Sequence, residues 1–124
     1  IKLKENTNLS IALDESFIKQ DCMQFIANQL IKYVVIKPSI YGGYKKLFET
    51  KEFLSKSNIE VIISSSLENH IGNMASIHIT SAMQLNHHHG INNNYFYDFK
   101  SELTFRKEDL NINLSKFIGL GTTV

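Results

Sequence analysis

The sequence predicts an α/β fold with parallel strands. Three observations carry this expectation. Short apolar runs, the second and third rich in β-branched residues, precede stretches of helical period three times along the chain. The runs are continuous rather than alternating, the pattern of parallel strands covered on both faces. Polar residues gather where each run stops, at Asp14-Glu15, at Lys37 and at Ser64-Ser65-Ser66. In parallel α/β folds the carboxyl ends of strands carry the chemistry.

The first run, Leu9 to Leu13, ends sharply at Asp14-Glu15-Ser16. Phe17 to Leu30 then has helical spacing, through Phe17, Ile18, Cys22, Phe25, Ile26 and Leu30. Tyr33 to Ile36 is a second strand, stopped by Lys37-Pro38, and Gly42-Gly43 makes a turn. Tyr44 to Ser57 reads as helix with Leu47, Phe48 and Leu54 inward. Val61 to Ile63 is the third strand, and Leu67 to Leu85 a long helix with Ser66 as its cap. After Leu85 comes a polar loop to Asn94, then an aromatic run, Tyr95 to Phe99, that could form a last short strand. From Lys100 the pattern is extended, through Leu103-Thr104-Phe105 and Leu110 to Leu114, and the tail Gly119-Leu120-Gly121 is loop-like. The expected division is 1–99 and a terminal segment, 100–124.

Composition narrows the function. The 124 residues suit one core. With 43% hydrophobic and 20% charged residues the chain has the profile of a folded protein. Thirteen basic against twelve acidic residues leave a net charge of +1, too balanced for a strongly electrostatic nucleic-acid binder. No apolar run approaches the roughly 20 residues of a spanning helix, and no signal peptide or lipidation box is present. Cys22 is the single cysteine, so a reducing, cytoplasmic setting is the default, with neither membrane nor nucleic acid as partner. The chain opens at Ile1 without Met, which suggests processing or a piece of something longer.

Asp14 and Lys37 end consecutive strands, so their side chains could reach one mouth. A carboxylate and an ammonium there could bind a metal and polarise a substrate, or form a plain structural ion pair. Other signals read as structure. His87-His88-His89 are consecutive loop residues pointing in different directions, with no Cys or carboxylate placed to finish a tetrahedral zinc site. Cys22, Phe48, Phe53, Phe96 and Phe99 read as core, His78 as packed and His70 as solvated. Gly42-Gly43 lacks the lysine and spacing of a phosphate loop.

Four motifs in order resemble the enolase superfamily. Ile11-Ala12-Leu13-Asp14-Glu15-Ser16 is similar to its fifth-strand signature, and Val35-Ile36-Lys37-Pro38-Ser39 with Gly42-Gly43 to its sixth. Ile63-Ser64-Ser65-Ser66-Leu67-Glu68 with Ile71-Gly72 resembles the seventh-strand segment of the o-succinylbenzoate synthase family in particular, and His89-Gly90-Ile91-Asn92 its eighth-strand loop. Gly119-Leu120-Gly121 resembles the closing motif. The resemblance implies the C-terminal half of a (β/α)7β modified TIM barrel, strands five to eight, with 100–124 packing on a capping domain.

It also implies chemistry. Asp14 takes the place of the third carboxylate ligand of Mg²⁺, a hard cation that prefers oxygen donors. Lys37 takes the place of the strand-six lysine, acting by charge against the substrate ring as a cation–π partner. Ser64, Ser65 and Gly90 correspond to groups near the succinyl end of a small carboxylate substrate. Glu15, beside a ligand, should point elsewhere. The implied reaction is dehydration of 2-succinyl-6-hydroxy-2,4-cyclohexadiene-1-carboxylate to 2-succinylbenzoate, a step of menaquinone synthesis. The base lysine and two further ligands should precede Asp14. Lys2 and Lys4 lie too close to Asp14 to supply them and read instead as the end of a preceding helix. The 124 residues alone are therefore expected to be inactive, and to self-associate or stay bound to the missing N-terminal half. An N-acylamino-acid racemase or dipeptide epimerase, using Lys37 as a second base, and a non-catalytic half-barrel remain as alternatives.

Overall fold

The computed structural model describes residues 6–18, 22–91, 114–116 and 119–120. Its centre is a three-stranded parallel sheet in chain order, β1 (Ala12–Leu13), β2 (Tyr33–Ile36) and β3 (Glu60–Ile63). Ala12 stands opposite Tyr33 and Leu13 opposite Val34, and β2 pairs with β3 from Tyr33↔Glu60 to Ile36↔Ile63. A further parallel bridge, Ser64↔Gly90, continues the same progression past β3. The expected alternation of parallel strands and helices is present, and the arrangement is compatible with part of a barrel. The aromatic run 95–99 and the 99/100 boundary lie outside the described residues, as do Lys2 and Lys4.

Strand geometry sends successive side chains to opposite faces. Val34, Ile36, Val61 and Ile63 are buried and form one core with Leu47, Leu54, Met74 and Ile77 from the helices and Met83 just beyond one. Val35 and Ile62, on the other face, are half-buried. The expectation of two covered faces is thus met on one face among the described residues.

The helices connect strands as the periodicity suggests, with three corrections. Phe17 to Leu30 is not one helix among its described residues. A 3₁₀ turn, Glu15–Ile18, is followed by the short helix α1 (Met23–Ala27), which ends where Leu30 N–H donates to the Phe25 carbonyl at 2.9 Å. Beyond β2, Pro38 opens α2 (Pro38–Tyr41), a position where its missing N–H costs nothing. Gly42 and Gly43, at φ of 109° and 90°, turn the chain into α3 (Tyr44–Ser55). Leu47 and Leu54 of α3 are buried, but Phe48 and Phe53 are each 43% exposed. Both were expected in the core. On a helix turning about 100° per residue, each lies one position beyond the inward stripe that Leu47 and Leu54 define.

The third correction concerns α4, which spans His70–Ala82 and is capped by Asn69, whose Oδ1 accepts from Gly72 N–H at 3.1 Å. Ser66 is not the cap, because Glu68 occupies its hydroxyl and its backbone N–H. Cys22 is buried, as expected. His78 donates from Nε2 to the Gly119 carbonyl at 2.7 Å, and Leu114, in a 3₁₀ turn (Leu114–Lys116), packs against the core. His70 is half-buried rather than solvated.

Candidate functional site

The parallel register brings the ends of the strands to one edge. Asp14 follows β1, Lys37 follows β2, Ser64 follows β3, and Gly90 bridges to Ser64. Four of the residues singled out from the sequence therefore share one rim, and Ser65 stands beside them.

Lys37 is the centre of the first half of that rim. Its Nζ lies 3.3 Å from Asp14 Oδ1 and 3.4 Å from Oδ2. It also donates to Glu15 Oε1, its nearer partner. The Lys37 side chain is only 16% exposed, against 48% for Asp14 and 66% for Glu15. The hydrogen bond to Glu15, then the Asp14 carboxylate, raises the ammonium above the ordinary lysine value, and the same hydrogen bond lowers Glu15. Glu15 was expected to point away. It does not, because the strand ends at Leu13 and the chain enters a 3₁₀ turn, so alternation no longer applies.

Ser64 and Gly90 form the second half. Ser64 N–H donates to Ile36 O at 2.9 Å, Gly90 N–H to Ile63 O at 2.9 Å, and Ser65 N–H to Gly90 O at 2.8 Å. Ser64 Oγ donates to the Gly90 carbonyl at 3.3 Å, a long bond that leaves the hydroxyl easy to redirect. A Cβ on Gly90 would stand 3.1 Å from that Oγ, so a larger residue here would crowd the Ser64 hydroxyl. His89 holds the junction from beneath, its Nδ1 accepting from Ile63 N–H at 3.1 Å. Burial lowers His89 below the ordinary imidazole value, and His87 and His88 add to this.

Sequence reasoning quoted Ser39 and Glu68 but gave them no role. Glu68 gathers donors from two loops: Ser39 Oγ at 2.6 Å, Ser65 Oγ at 2.5 Å, and Ser66 through both its N–H at 2.7 Å and its Oγ at 2.8 Å. Burial raises the carboxyl, but these donors outweigh it and bring it down to about 2. Ser65 thus spends its hydroxyl proton on Glu68, while its oxygen accepts from Leu67 N–H at 3.0 Å. The readable signal was three serines and a carboxylate within five positions, with Gly72 four residues on.

A cavity of about 450 Å³ lies elsewhere, at the amino ends of the strands, lined by Lys32, Lys51, Glu60, Gln84 and His87 among others. There Glu60 pairs with Lys32 at 2.7 Å and His87 Nε2 at 2.6 Å. Helices α3 and α4 both end at this side, and lysines suit the negative ends of their dipoles. This cavity is remote from the Lys37 rim. Among the described residues no group of three or more His, Cys, Asp or Glu is placed to hold a metal ion, and no helix is long and apolar enough to cross a membrane.

The arrangement is that of parallel α/β proteins which act at the carboxyl ends of their strands. No known family pattern matches the chain. Curated relatives do, among them several o-succinylbenzoate synthases. The chain is 36% identical over 66 residues to an o-succinylbenzoate synthase of Escherichia coli O17:K52:H18, a stretch that is 53% of this chain and 20% of that protein. The o-succinylbenzoate synthases of Escherichia fergusonii and Shigella boydii serotype 18 are each 35% identical over 66 residues, with the same coverage. The match thus spans about a fifth of the length of these relatives. The resemblance read from the motifs is borne out, and the partial coverage is consistent with a C-terminal portion.

Proposed function

We propose that this chain forms the C-terminal part of a cytoplasmic o-succinylbenzoate synthase, a lyase of the enolase superfamily that dehydrates 2-succinyl-6-hydroxy-2,4-cyclohexadiene-1-carboxylate in menaquinone synthesis. The observation that carries this reading is the shared rim of Asp14, Lys37, Ser64 and Gly90, in a chain whose curated relatives bear that enzyme's name.

Lys37 is held as a cation by two carboxylates, which suits a group that acts by charge on an electron-rich ring. A second base, as in a racemase, needs a neutral amine, and this surrounding opposes it. Ser64 turns its hydroxyl from the Gly90 carbonyl to the substrate's succinyl carboxylate. Ser65 contributes by holding that loop, since its hydroxyl is committed to Glu68. Asp14 has the hard oxygen donor that Mg²⁺ takes, but the described residues supply no complete set of ligands. The remaining ligands and the base lysine would come from the N-terminal half, and the chain alone is inactive. The terminal segment 100–124 would pack on the capping domain.

The test is the complete protein, purified with Mg²⁺ and offered the cyclohexadiene carboxylate, with formation of the aromatic product followed by absorbance. Turnover that disappears in Lys37→Ala is the expected result. Racemisation of N-acylamino acids without any dehydration would replace this reading with the racemase one.

A further inference from the structure

We propose that Glu68 is a positioning residue whose carboxylate ties the segment after β2 to the segment after β3, and so fixes Lys37 and Ser64 relative to each other. The inference rests on the function proposed above for its kinetic part only.

Ser39 is two residues beyond Lys37, on α2, and Ser65 and Ser66 follow Ser64 directly. One carboxylate receives hydroxyls from both sides. Oε1 accepts from Ser39 and Ser66, and Oε2 accepts from Ser65 and the Ser66 N–H. The Ser39 and Ser66 hydroxyls lie 2.6 Å apart, so the two segments also meet each other at this point. Within the sheet, Ile36 and Ile63 are already in register. One more backbone bond follows, from Ser64 N–H to Ile36 O at 2.9 Å; past it a helix lies on one side and a loop on the other, and Glu68 is the clamp across that gap.

A second observation agrees. The Glu68 stem crosses the first turn of α4 so closely that a Cβ on Gly72 would stand 2.6 Å from Glu68 Cβ and 2.9 Å from its Cγ. Nothing of that size fits without moving Glu68. Gly72 is therefore the space the clamp occupies, and Gly72→Ala displaces the carboxylate without removing a charge or a hydroxyl.

The test uses the complete protein with Glu68→Gln, Gly72→Ala, Ser39→Ala and, as the conservative variant, Glu68→Asp. Amide hydrogen exchange is read by peptide at residues 37–43 and 64–69, alongside kcat and KM for the dehydration. Ser39→Ala should raise exchange in 64–69, on the far side of the clamp, while β2 and β3 keep their protection. A loss of alignment of about 1 Å costs on the order of 100-fold, so Glu68→Gln and Gly72→Ala should each lower kcat by about 10- to 100-fold with KM changed by less than about threefold. Glu68→Asp should recover part of kcat. Lowered melting temperatures with kcat intact, or exchange confined to the mutated segment, would overturn the proposal. If the wild-type protein fails to dehydrate the substrate, the function falls, and the cross-segment exchange still decides the clamp.

Discussion

Gly90 stands where one added carbon would meet Ser64 Oγ at 3.1 Å and Ser64 Cβ at 3.7 Å. The obstacle is thus the hydroxyl, and the carbon beneath it is at ordinary contact distance. Gly90→Ala should destabilise the protein by about 1 kcal/mol through crowding, after allowing for the smaller gain from a stiffer unfolded chain. Ser64→Ala added to it should recover most of that loss, with a coupling of about 0.5–1 kcal/mol in urea melts. Additive effects would show that the two do not share this space.

The Lys37 rim predicts an order of severity in the complete protein. Asp14→Asn should lose most activity, because a neutral amide is a poor ligand for Mg²⁺. Glu15→Gln should be milder, since the half-exposed Asp14 carboxylate still faces the ammonium. Turnover close to normal in Asp14→Asn at limiting Mg²⁺ would remove Asp14 from the ligand set.

Lys37→Ala and Lys37→Arg should both be badly impaired, since the guanidinium keeps the charge but not the shape or hydration. Solvent deuterium exchange at the substrate's α-carbon separates charge from proton transfer. Exchange should continue in Lys37→Ala, and its cessation would make Lys37 a base.

His89 predicts a pH dependence. Its folded value is below the ordinary imidazole value, so the unfolded chain takes up the proton first as pH falls. The stability His89 confers is full above about pH 6.5 and is lost progressively below it, as the unfolded state binds the extra proton. Melting temperature should fall more between pH 7.5 and 5.5 in the wild type than in His89→Asn. Equal falls would show that the Ile63 N–H contact does not depend on a neutral ring.

Much of the fold was legible because β2 and β3 are runs of β-branched residues with hard stops, and because only a parallel sheet in chain order puts Asp14, Lys37 and Ser64 on one edge. The errors have local causes. Strand alternation carried past Leu13 sends Glu15 the wrong way, because the strand ends there and a 3₁₀ turn begins at Glu15. Ser66 looked like a helix cap because serine favours that position, but Glu68 competes for it and Asn69 caps instead. Phe48 and Phe53 were placed inside by their hydrophobicity, although Leu47 and Leu54 already fill that stripe. The Ser39–Glu68 contact was invisible because its partners are 29 residues apart and join only when β2 and β3 lie side by side.

The isolated chain should not persist as a compact monomer. β1 is two residues long and edges the described sheet, and Leu9, Ile18 and Met23 on that side are exposed. An unpaired edge beside exposed apolar side chains recruits other strands. Light scattering at low micromolar concentration should report a species larger than 14.2 kDa, or a complex when the N-terminal half is supplied. A 14.2 kDa monomer with a cooperative melt would overturn this.

The strand order has a kinetic consequence. Each strand pairs with the one next made along the chain, and Gly90 joins Ser64 by the same rule. Among the described residues no strand pairing waits for a distant segment to diffuse back, so the entropy lost in closing each loop is that of one strand–helix unit. During synthesis this portion can add to whatever precedes it one unit at a time as it leaves the ribosome, with the Lys37 rim completed before the Ser64–Gly90 junction closes.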